Sequence, residues 1–83
     1  MKTEFLRIKV RNYKIVHGFD QFNQEVVELS GPQEWVDKII AINRIQSITE
    51  CYIRMHYSHE RIIYWEYKGG LEWIESKLRS VLG

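Results

Sequence analysis

A single cysteine, Cys51, stands in the whole chain, so no disulfide can close within it and a reducing, cytoplasmic setting is expected. Between Glu50 and Tyr52 it reads as an ordinary half-buried thiol. Charge of one sign is also scarce. Twelve basic residues against 11 acidic ones leave a net +1, which is too little for the broad positive field that drives nucleic-acid affinity. No apolar run approaches the ~20 residues that cross a bilayer. From Met1 to Val10 charge interrupts the apolar residues, so no signal-peptide core is expected and the protein reads as soluble and unprocessed.

The catalytic vocabulary is thin as well. There is no glycine-rich phosphate loop, no nucleophile elbow and no isolated pair of buried carboxylates. His17 and Asp20 are the one candidate acid–base pair, yet they lie at the start of a loop without a nucleophile. His56 and His59, with Cys51 and Glu60 nearby, are donor types that bind zinc, but no Cys-x-x-Cys pair supplies further ligands. No catalytic residue, metal site or cofactor is expected, and an enzyme is the least favoured class.

What the chain has in quantity is aromatic rings: three Trp, five Tyr and three Phe in 83 residues. Hydrophobic residues make up 45% and charged residues 28%, a balance that folds, and the length suits one domain over residues 1–83. The rings concentrate between Tyr52 and Tyr67. Ile53, Met55 and Tyr57 alternate with Tyr52, Arg54 and His56, the period-two pattern of a strand. Ser58, His59 and Glu60 form a polar break, and Arg61 to Tyr67 resumes with β-branched and aromatic residues. This is a β-hairpin. A two-residue loop sets Ile53 against Tyr64, Met55 against Ile62 and Tyr52 against Trp65; a three-residue loop shifts the pairs by one and exchanges the faces of the second strand. In either register both faces carry large apolar groups. Either the hairpin is central in a small curled sheet whose second face lies under the C-terminal helix, or the side carrying Tyr52, Arg54, Trp65 and Tyr67 is an exposed surface for a partner or a second copy.

Elsewhere the pattern is simpler. Leu6, Ile8 and Val10 alternate with Arg7, Lys9 and Arg11 in a first strand whose cations read as a solvated face or a short stripe for phosphates or an acidic partner. Asn12 tolerates left-handed backbone and can turn the chain into a second strand holding Tyr13, Ile15 and His17. Gly18 to Gln24 reads as a loop, with Phe19 and Phe22 expected to tuck over the end of the core. Glu25 to Leu29 is a short strand stopped by Pro32. Ser30 to Val36 is either a single helical turn or a loop pinning Trp35 into the core. Lys38 to Ile42 and Ile45 to Thr49 give two short strands or one bulged strand. After Gly69-Gly70 the period changes: Leu71, Ile74, Leu78, Val81 and Leu82 recur at helical spacing, with Glu72 and Glu75 early and Lys77 and Arg79 late.

The fold class that follows is α+β, a small, strongly bent antiparallel sheet or partial barrel of five to seven short strands with one C-terminal amphipathic helix. In its order of elements it resembles a reduced pleckstrin-homology-like or Sm-like small barrel. That likeness is one of architecture, and no functional residue comes with it. The function expected is a non-enzymatic interaction or regulatory module, docking a protein or a second copy through Tyr52, Arg54, His56, Arg61, Trp65 and Tyr67. The alternative is a single-stranded RNA or DNA binder that stacks bases on the same rings and uses Arg7, Lys9 and Arg11 for phosphates. No membrane partner is expected.

Overall fold

One long strand, β1 (Phe5–Phe19), touches three others. Along one edge it pairs antiparallel with β2 (Glu25–Ser30) through residues 13–19 and with β3 (Val36–Ala41) through residues 5–10. Its other edge pairs with β6 (Arg61–Tyr67), which continues to β5 (Tyr52–Tyr57) and β4 (Ile45–Ile48). A 3-10 turn, Ile42–Arg44, joins β3 to β4, and α1 (Gly70–Leu82) ends the chain. The computed structural model describes residues 4–83. The result is an α+β fold with a six-stranded antiparallel sheet in the order β2-β1-β6-β5-β4, β3 lying off that path. The sheet does not close on itself, so the small-barrel likeness ends at the order of elements. All the expected strands are present, with one correction: the first two are a single strand.

The join is at Asn12. Val10 faces Tyr67 and Arg11 faces Glu66, but Tyr13 faces Trp65, so β1 carries one extra residue between Arg11 and Tyr13. Asn12 occupies that bulge with φ +40°, the left-handed region that Asn accepts better than most residues. The chain does not reverse there. The extra residue switches the parity of the strand instead, so Leu6, Ile8 and Val10 before it and Tyr13 and Ile15 after it belong to one apolar side. Opposite the bulge the segment from Gly31 to Trp35 is a loop without a helical turn, and its Pro32 carbonyl accepts the Asn12 amide at 2.8 Å. Gly31 has φ +101°, and a Cβ on it would lie 2.7 Å from the Tyr13 ring; only glycine lets the loop pass so close.

The core joins Leu6, Ile8, Val10 and Ile15 of β1, Ile40 of β3, Ile53 and Met55 of β5, and Ile63 and Tyr67 of β6 to Ile74 of α1. Leu78 and Val81 of the helix pack against it, as do Ile45, Ile48 and Trp65. The helical stripe read from the sequence is therefore the buried one, although Leu71 and Leu82 at its ends are exposed. Glu75 and Arg79 pair one turn apart at 3.1 Å on the solvent side, a minor contribution to the helix. Tyr67 is buried by its ring and saturated at its tip, where the hydroxyl donates to the Thr49 carbonyl at 2.7 Å. Burial holds its pKa above the ordinary tyrosine value.

Several rings expected inside are not. Phe19 and Phe22 do not tuck over the core; Phe22 is 74% exposed, held in a loop whose turn is fixed by Asp20 accepting the amides of Phe22 and Gln24. Trp35 is half-buried and lies under the Arg11 guanidinium, 4.3 Å from its ring centroid. Cys51 is exposed, not half-buried.

Candidate functional site

The hairpin register decides what the sheet shows to water. Tyr52 faces Glu66, Ile53 faces Trp65, Arg54 faces Tyr64 and Tyr57 faces Arg61, the arrangement of a three-residue loop, Ser58 to Glu60. His59 and Glu60 both take positive φ, +59° and +61°, a conformation usually signalled by glycine or asparagine. Because direct cross-strand partners share a face, the six aromatic and basic residues singled out in the hairpin divide. Tyr52, Arg54 and His56 lie on the face turned away from the helix. Arg61, Trp65 and Tyr67 lie on the side of the core.

That division corrects the expected site. Tyr67 is a core residue. Trp65 is half-buried, with its ring 4.9 Å from that of Tyr13 and the Lys38 ammonium 4.9 Å from its own centroid. Arg61 is committed to the hairpin tip, where Nε donates to the Ser58 carbonyl and Nη2 to its hydroxyl, and its guanidinium lies over Tyr57. His56 accepts from the Gln46 amide at 3.1 Å.

In place of those three, the uncovered face brings in residues from other strands. Leu29 of β2, Lys14 of β1, Tyr64 of β6, Arg54 of β5 and Ser47 of β4 are successive cross-strand partners, one row across five strands. Beside it runs a second row, Val27, Val16, Ile62 and His56. The first row floors a groove of about 660 Å³ that Ser30, Gln33, Thr49 and Tyr52 flank. Tyr64 is its centre: the Lys14 ammonium lies 4.8 Å and the Arg54 guanidinium 5.7 Å from the ring centroid, within range of the attraction between a cation and an aromatic face. No carboxylate lines the groove among the described residues. Arg54 has no acidic partner among them, and Lys14 reaches only Glu25 at 4.0 Å.

The basic stripe of β1 is arranged differently. Arg7 and Lys9 both face Asp37, at 3.6 and 3.3 Å. Arg11 grips Glu66 with two hydrogen bonds, Nε to Oε1 at 3.0 Å and Nη2 to Oε2 at 3.1 Å, and stacks on Trp35. The hydrogen bonds from Arg11, with a smaller one from Asn12, hold the Glu66 carboxyl below its ordinary value against the opposing effect of burial; Lys9, aided by Arg7, lowers Asp37 likewise. The three cations thus lie against two carboxylates, Arg7 and Lys9 sharing Asp37 and Arg11 holding Glu66.

A pH dependence follows from the Glu66 pair. A carboxyl whose folded pKa lies below its unfolded value of about 4.5 stabilises the fold above that pH, and the contribution fades as pH falls through the lowered folded value. Urea unfolding from neutral pH down to about 3 should therefore show the acid limb of stability flatter in Glu66→Gln than in the parent. The difference should be small because the pair is part-exposed; identical acid limbs would show that the pair does not couple to folding.

Tyr64, Lys14 and Leu29 escaped the sequence reading. A two-residue loop turns Tyr64 inward against Ile53; the three-residue alternative is the one signal that places it beside Arg54. Among the described residues no group of three or more His, Cys, Asp or Glu is placed to hold a metal, and no helix is long and apolar enough to cross a membrane. The chain matches no known family model, no curated protein and no solved structure.

Proposed function

We propose that the protein is a non-enzymatic interaction module that docks a protein partner on the uncovered sheet face through Tyr52, Arg54, Tyr64, Lys14 and Leu29. One observation carries the reading: α1 covers a single side of the sheet, and the other side presents a continuous row of apolar, aromatic and cationic side chains with a groove along it. Tyr and Arg are the residues that most often anchor protein interfaces, and Leu29, 74% exposed, contributes apolar area at the rim. A reducing, cytoplasmic setting suits the free, exposed thiol of Cys51.

The single-stranded nucleic-acid reading draws on the same rings, but it asked Arg7, Lys9 and Arg11 to neutralise phosphates. Their ion pairs with Asp37 and Glu66 offset two of the three charges and so reduce the counterion release that would drive such binding, which favours protein docking.

A photo-crosslinking amino acid in place of Tyr52, with a second variant carrying it at the exposed loop residue Phe22 as control, tests the proposal in cells. Discrete protein adducts should form at position 52, be absent at position 22 and disappear when Arg54→Glu is added. Equal labelling at the two positions, or none at 52, would refute the docking face. An adduct removed by nuclease would transfer the site to nucleic acid. A size measurement over a concentration series identifies a second copy if that is the partner.

A further inference from the structure

Resting on that docking face, we infer that its occupant is an extended segment of a different protein carrying two acidic side chains at alternate positions. The groove row crosses four strand-to-strand steps, from Leu29 to Ser47. At ~4.8 Å per step it is about 19 Å long, which matches roughly six residues of extended chain. A compact small molecule would leave most of that row empty.

The charges select the chemistry. Lys14 and Arg54 reach one ring from the strands on either side of it, at 4.8 and 5.7 Å from its centroid, and no carboxylate of the described residues lines the groove. An anionic occupant answers both cations. On an extended chain, side chains at positions i and i+2 share a face and stand ~7 Å apart; Lys14 and Arg54 are rooted two strand steps apart, ~9.6 Å, and both lean inward over the Tyr64 ring, which brings their charged ends within reach of such a pair. Residues flanking that pair by two more positions meet Leu29 at one end, where an apolar side chain gains from burial, and Ser47 with the groove wall at Thr49 at the other.

The partner is not another copy of this chain. Its eleven acidic residues include no two at alternate positions, so no segment of it offers the required pattern. Nucleic acid also supplies anions, but a phosphate backbone is recognised by an accumulation of unmatched cations, and the groove has two.

The test uses the full chain, isotope-labelled, titrated with the peptide Leu-Ser-Glu-Ser-Glu-Ser-Leu and with its Glu→Gln and Glu→Lys counterparts. Amide shifts should move along the row at Lys14, Tyr64, Arg54 and Ser47 with the acidic peptide, and the glutamine peptide should bind at least about tenfold more weakly, the loss expected for two charge-assisted contacts. Arg54→Glu should weaken the acidic peptide by a similar factor, while its amide spectrum away from β5 stays that of the parent, showing an intact fold. Should the glutamine or lysine peptide bind the same row as well as the acidic one, the acidic specificity is wrong although the docking face survives. If no peptide moves the row, the inference fails, and crosslinking at position 52 decides the docking face independently. Preferential binding of oligothymidylate there would overturn the inference in favour of nucleic acid.

Discussion

Inserting one alanine between Ile8 and Lys9 should abolish the cooperative unfolding transition. That stretch of β1 is regular, each residue from Phe5 to Val10 having its partner in β3. Side chains of a strand alternate between faces with a period of two, so one added residue reverses every position on one side of it relative to the other. Leu6 and Ile8, both buried, would point away from the core and Arg7 would turn toward it. Each buried aliphatic side chain turned out to water costs about 1.5–3 kcal/mol, and the inward cation adds to a loss already comparable with much of the roughly 5–15 kcal/mol that holds a domain of this size. Deleting Asn12 is the contrasting control. It is the extra member of β1 opposite β6, and without it Val10 and Tyr13 stand two apart, so plain alternation keeps Leu6, Ile8, Val10, Tyr13 and Ile15 on one side and the variant should still unfold cooperatively. An insertion variant with a normal urea midpoint would show that β1 absorbs an extra residue there as it does at Asn12.

Ile53→Ala is expected to have the next largest effect. Ile53 is completely buried, between its cross-strand partners Ile48 of β4 and Trp65 of β6, so truncation leaves a cavity at the middle of the hairpin. Large-to-small changes at such sites cost about 2–5 kcal/mol, and Ile→Val about 0.5–1.5 kcal/mol. The urea midpoint, followed by tryptophan fluorescence, should fall by on the order of 2 M for alanine and much less for valine. An alanine variant with an unchanged midpoint would mean that Ile53 is not enclosed between β4 and β6.

The elements could be read from local pattern because alternation and helical spacing are local properties. Leu6, Ile8 and Val10 announce their strand, and Ile74, Leu78 and Val81 announce the covering helix, without knowledge of any partner. The site was only half legible because it is assembled from pairings between distant residues. Tyr52 and Arg54 are where the sequence placed them, but their neighbours Lys14 and Leu29 arrive through β1 and β2, and Tyr64 through a turn in which His59 and Glu60 adopt a conformation that nothing in their type foretells. The basic stripe was legible as a solvated face, but its ion pairs were not, for the same reason. Arg11 and Glu66 are 55 residues apart, and only the register brings that carboxylate under that guanidinium.

The two edges of β1 are completed at very different moments in the life of the chain. β2 closes on it across a short loop, whereas β6 must return from some fifty residues away, Val10 meeting Tyr67 at the far end. Closing so large a span forfeits more chain freedom than the local hairpin does, and topologies dominated by distant pairings assemble slowly. A ribosome that has synthesised only as far as β4 therefore holds a nascent sheet with Val10 and Ile15 still wet. The residues that emerge after it, β6 and α1 foremost, decide whether that intermediate is rescued or left to aggregate.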